Sequence, residues 1–137
     1  MKHLFIKALA GSALLLMGMT ASAQYRPRAI DAQDIQDQRE IREQDRTFDR
    51  VRTDLDRIHS EALPFSTDRD RVTVAMQLLN QCQRAVNAGD YDRRTFDQTV
   101  ASIQRVIELN RLSDDSRSYL GDDVRAMSRL QARLEGY

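Results

Sequence analysis

Between Ile41 and Ala62 the apolar residues keep to one narrow stripe. Ile41, Phe48, Leu55 and Ala62 recur every seven residues, with Val51 and Ile58 at the intermediate step. That spacing returns to the same side of an α-helix after two turns, so it predicts a helix packed on its neighbours through a single seam. The rest of the surface is charged. Arg39/Glu43, Arg50/Asp54, Arg52/Asp56 and Arg57/Glu61 stand four apart, and pairs at that spacing stabilise an exposed helix by roughly 0.2–0.5 kcal/mol each. The first helix is expected over about Ile35 to Ala62, with Pro64 stopping it because proline cannot donate its backbone N–H to the helix ladder.

Three more stretches carry the same period. After the apolar turn Leu63-Pro64-Phe65, Ser66 or Thr67 can cap a helix from about Asp68 to Asn87, with Asp68 and Asp70 where negative charge suits the helix dipole. Val72, Ala75, Met76, Leu79, Cys82 and Val86 form its main face. Val74 and Leu78 widen that face, so this helix is expected to be the most buried. Gly89 suits the left-handed residue that follows a last turn. Asp90 or Asp92 starts a third helix, lined by Phe96, Val100, Ile103, Val106 and Ile107, that ends near Leu109. Ser113 starts a fourth, with Leu120, Val124, Met127, Leu130 and Leu134 inward. Gly121 lies inside this last helix, where it costs about 1 kcal/mol against Ala. Either a neighbour approaches closely there or the helix breaks and restarts at Asp122.

Short connections force successive helices to run antiparallel. The expected fold is all-α, an antiparallel four-helix bundle over residues 38–137. Arg46-Thr-Phe-Asp is repeated at Arg94-Thr-Phe-Asp, 48 residues on, and the register then places Leu55 on Ile103, Val72 on Leu120 and Leu79 on Met127. On this reading the bundle is two αα-hairpins related by duplication.

The amino-terminal end has a different character. Lys2, His3 and Lys7 precede a small and apolar run, Ala8–Met19, and Ala21-Ser22-Ala23 follows. A basic start, an apolar core and small residues at the cleavage position make a secretory signal, and the run is shorter than the ~20 residues a permanent span needs. Residues 1–23 are expected to be removed by cleavage between Ala23 and Gln24, which sends the protein to the periplasm or outside the cell with no permanent membrane span. Residues 24–37, with Pro27 near their start, are expected to form a flexible or frayed lead-in.

Both lysines fall in that signal, so the remaining chain carries 19 arginines against 21 acidic side chains, a formal charge of −2. Interleaved Arg and Asp without a clustered positive surface argue against nucleic acid as a partner. The chain has one cysteine, so no internal disulfide can staple it and the core must hold the fold. Cys82 falls on the core face as a small apolar residue; the alternative is an intermolecular disulfide, which needs an exposed thiol.

Reactive groups are sparse. His59 is the sole histidine after the signal, and Glu61, two residues on, faces elsewhere on a helix. Asp114/Asp115 and Asp122/Asp123 are adjacent acid pairs that can hold a cation or share a proton, but their place near helix starts suits capping. Arg93, Arg94 and Arg111 are candidates for an anionic ligand, offset by Asp92 and Asp97. No phosphate loop, nucleophile elbow or zinc-ligand spacing occurs, so neither catalytic residues nor a cofactor or metal is expected. The expected function is that of an exported, non-enzymatic helical protein acting through contacts with other envelope proteins or with itself. A periplasmic stress-type holdase is the alternative, and a small hydrolase or metal-dependent enzyme the third.

Overall fold

The structure is a computed structural model that describes residues 32–136. The signal, its cleavage site at Ala23 and Gln24, and the first part of the lead-in lie outside the described residues. Four helices follow in order: α1 (Ala32–Glu61), α2 (Thr67–Asn87), α3 (Arg93–Leu109) and α4 (Asp114–Glu135). Each packs on its neighbours in the order α1–α2–α3–α4 and back to α1, while α1/α3 and α2/α4 lie across the diagonals. This is the up-and-down bundle that the seam spacing and short turns predict. None of the described helices is long and apolar enough to cross a membrane.

Local chemistry sets the helix ends. The Ser66 hydroxyl accepts the Arg69 N–H at 3.2 Å, and the Ser113 hydroxyl accepts that of Ser116 at 3.1 Å. Asp92, not Asp90, caps α3, accepting from the Arg94 and Thr95 N–H groups. These bonds satisfy donors that a first turn otherwise leaves bare. At the far end of α2, Asp90 N–H reaches the Ala85 carbonyl at 2.9 Å and Gly89 N–H the Val86 carbonyl at 3.0 Å, with Gly89 at φ 74°. This crossed pair is a Schellman motif, and it needs a residue without a Cβ penalty at the left-handed position.

The seam is buried where predicted, from Phe48, Val51, Leu55 and Ile58 in α1 to Leu120, Met127 and Leu130 in α4. A 48-residue step carries each buried residue of the first hairpin onto a buried residue of the second. Phe48 goes to Phe96, Val51 to Thr99, Leu55 to Ile103 and Ile58 to Val106; Val72 goes to Leu120, Ala75 to Asp123, Leu79 to Met127 and Cys82 to Leu130.

Several expectations are corrected. Residues 32–37, expected as lead-in, are an exposed first stretch of α1. Ile41 is 57% exposed: Gln44, one turn later, already meets Asn87 at the last residue of α2, so α1 at Ile41 runs past the end of α2. Val74 is exposed and Leu78 half-buried, so α2 is no more buried than the other helices. Helix α4 runs unbroken through Gly121, and a Cβ there would meet only the tip of Arg125 at 3.9 Å. Neither a break nor a close approach explains that glycine, and nothing in the structure does.

The arginines also pair differently. Within helices most contacts are Asp-to-Arg at three residues, Asp49–Arg52, Asp54–Arg57, Asp68–Arg71 and Asp122–Arg125, with Arg93–Asp97 at four. Arg50 and Arg133 reach across helices to Asp123 and Glu43, and Arg52 does so as well, to Asn80 and Gln83. A guanidinium on a long stem can leave its own helix when a neighbour packs beside it.

Candidate functional site

The position matching Ala75 is where the second hairpin departs from an apolar core. Asp123 sits on the α4 seam between Leu120 and Met127 and is 0% exposed. One carboxylate oxygen, Oδ1, accepts from Arg50 Nε of α1 at 2.7 Å. The other, Oδ2, is buried with no hydrogen-bond partner. Asp54 of α1, nearly buried and paired with Arg57 at 3.2 Å, lies within hydrogen-bonding reach of the Asp123 carboxyl. Burial pushes the Asp123 carboxyl up to about 6, Arg50 pulls it back, and the Asp54 charge raises it further. Taking a carboxylate out of water is costly unless its lone pairs find donors. The cluster is completed on the outside by Arg57 lying over the Tyr119 ring, 5.6 Å from its centre.

The adjacent pair Asp122/Asp123 is therefore split. Asp122 turns out to Arg125 while Asp123 turns in, as a 100° step per residue requires. The acid that Asp123 meets is 69 positions earlier in the chain. The one local signal was heptad register: Leu120, Asp123, Met127 and Leu130 repeat the spacing of Val72, Ala75, Leu79 and Cys82. Asp114 and Asp115 lie exposed in the first turn of α4, as capping predicts.

The other candidates do not converge. Among the described residues His59 has its hydrogen bond to a cation, Arg69 Nε donating to His59 Nε2 at 3.2 Å, and not to a carboxylate. Arg93 pairs with Glu135 and Asp97 at the start of α3, whereas Arg111 follows its end. These are ~25 Å apart along the helix, so the three arginines form no anion site. Cys82 is 2% exposed, and burial pushes its thiol up to about 11, with a hydrogen bond to Thr99 opposing and the Asp92 charge adding. An intermolecular disulfide needs an exposed thiolate, and this fold places the sulfur out of reach of a second chain. Among the described residues no three His, Cys, Asp or Glu side chains gather to hold a metal.

The two ends of the bundle differ. At the α2–α3 end, polar side chains stitch the helices together: Gln44 to Asn87, Tyr91 to Glu135, Gln131 to Asp97. At the opposite end the α3–α4 turn is tied to α2 through Asn110, Arg111 and Asp68, but the α1–α2 turn projects. Leu63 is exposed, and Phe65 is 102% exposed with a backbone φ of 59°. Leu109, Val74 and Tyr119 are exposed on the same half of the bundle. A cavity of about 160 Å³ lies behind the turn, lined by Ile58, Ala62, Leu63 and Leu112 among others.

Compared with known proteins, the chain matches no family model, no curated protein and no solved structure.

Proposed function

We propose that this is an exported, non-enzymatic helical protein that works through protein contacts in the cell envelope, and that the α1–α2 turn is the part that makes them. The supporting observation is Phe65. Its ring lies wholly in water, so it adds nothing to the core. Its backbone is in the left-handed region, which costs a residue with a Cβ about 1–2 kcal/mol. The backbone turn closes from Ser66 N–H to the Leu63 carbonyl at 3.3 Å and sets up the Ser66 cap, but none of this needs an aromatic side chain at position 65. A partner with an apolar pocket would gain an aromatic anchor of the kind that dominates interface energetics.

Export rests on the basic, apolar and small-residue order of residues 1–23, and a mature amino terminus at Gln24 is its check. Placing a photo-crosslinking phenylalanine analogue at position 65, in cells producing the full chain, tests the contact. A discrete adduct from position 65, and none from exposed Gln98 at the other end, is expected. The same pattern from both positions, or from neither, removes the reading. Phe65→Gly separates contact from folding: it should raise stability by up to about 1 kcal/mol while the native chain's partner is lost. The holdase alternative calls for a concave apolar face, whereas the exposed apolar residues here are spread over the α1–α2 turn and single positions of all four helices.

A further inference from the structure

Asp54 of α1 and Asp123 of α4 bring two carboxyls within hydrogen-bonding reach across a helix interface, and no protein donor reaches Asp123 Oδ2. We propose that this pair is a proton-operated clasp between α1 and α4, tightened by one shared proton in mildly acidic surroundings and loosened when that proton leaves, while Arg50 holds Oδ1 in both states. The argument starts from the orphaned oxygen. Asp123 Oδ2 is fully buried and unpaired, and an unpaired buried acceptor carries its whole desolvation penalty. A single proton taken from solvent turns Oδ2 into an O–H that donates to Asp54. That removes one buried negative charge and satisfies the orphan atom in the same step. Two carboxyls in such contact share protons as a unit.

Two guanidinium groups of α1 are the charges that face this pair. From α1, Arg50 holds Oδ1 of Asp123 and Arg57 holds Asp54. On α4 the adjacent Asp122 points away to Arg125. Helix α3, the other neighbour of α4, buries Phe96, Ile103 and Val106 and keeps Asp97, Arg105 and Glu108 exposed. The clasp rests on the bundle alone and stands or falls independently of the Phe65 contact.

The direction follows from linkage. A carboxyl that takes up its proton more readily in the folded chain than in the unfolded one makes the fold more stable as pH falls through its folded value. For Asp123 that is near 6, against 3.8 for the free group. Most carboxylate-rich proteins lose stability on acidification; between pH 7.5 and 5 this one should gain it.

The test is thermal unfolding of the purified chain across that window, in a His59→Gln background that removes the one imidazole among the described residues. A rise in Tm of roughly 5 °C from pH 7.5 to 5 is expected. Asp123→Asn carries a permanent donor in place of the proton, so its Tm at pH 7.5 should match the acid value of the parent and change little with pH. Asp54→Asn should behave alike, and it carries the test if the first variant does not fold. Carbon-13 NMR of the Asp123 carboxyl should show a titration near 6 that moves when Asp54 is replaced. A flat or falling Tm in the parent, or a rise retained in both Asn variants, overturns the proposal.

Discussion

Single residues here act through one backbone angle or one buried atom. Gly89 and Gly121 are the same residue with opposite prospects. At Gly89 the left-handed φ is what the Schellman turn requires, so Gly89→Ala should cost about 1 kcal/mol. At Gly121 the backbone is ordinary helix and the added methyl has room, so Gly121→Ala should gain about 1 kcal/mol. Urea unfolding of the two variants side by side checks both signs, and a loss at Gly121 would mean the helix needs flexibility there. Cys82 makes a chemical prediction. Burial and its raised pKa should keep it unreactive toward a thiol reagent at pH 8 until the chain unfolds. Non-reducing electrophoresis should show a monomer.

Among the elements, α3 shows how polar atoms enter a core without harm. Thr99 is fully buried at the position corresponding to Val51, yet its hydroxyl donates toward the carbonyls of Thr95 and Leu78, at 2.8 and 3.2 Å. The second of these ties α3 to α2. Phe96 lies one turn earlier, fully buried, with its ring 6.0 Å from that of Tyr91. Phe96→Ala should cost about 3–5 kcal/mol, a loss that equilibrium unfolding would register as near-complete destabilisation of so small a domain. The α3 cap is a smaller matter. Hydrogen bonds from the Thr95 hydroxyl and backbone to Asp92 hold that carboxyl below its usual range. Its contribution is therefore present at neutral pH and fades in strong acid, the reverse of the Asp123 behaviour.

At the scale of the whole molecule, both ends of the bundle carry cross-helix hydrogen bonds, but one of them also carries the exposed α1–α2 turn. Cross-helix hydrogen bonds close the α2–α3 end, while the opposite end projects Leu63 and Phe65. The α1–α4 seam that joins the two ends contains the buried acid pair. Proton uptake at that seam should therefore be felt by the bundle as a cooperative unit. Hydrogen exchange at pH 5 and 7.5, corrected for intrinsic rates, should show greater protection in α1 and α4 at the lower pH.

Much of this was legible in the chain itself. Seven-residue spacing, capping serines and aspartates, Pro64 and Gly89 determined four antiparallel helices and most of their buried faces, because helix periodicity and end chemistry act over a few neighbouring residues. Tertiary packing decided the rest. It exposed Ile41 by ending α2 short of it, sent Arg50, Arg52 and Arg133 across to other helices, and set Asp123 against Asp54. The signal for Asp123 was its heptad register, but an adjacent Asp122 on a charged chain looked equally suited to capping. Only the packing of α4 on α1 determines which of two neighbouring carboxylates meets water and which meets another acid. That choice depends on the relative rotation of two helices far apart in sequence, and no local pattern fixes it.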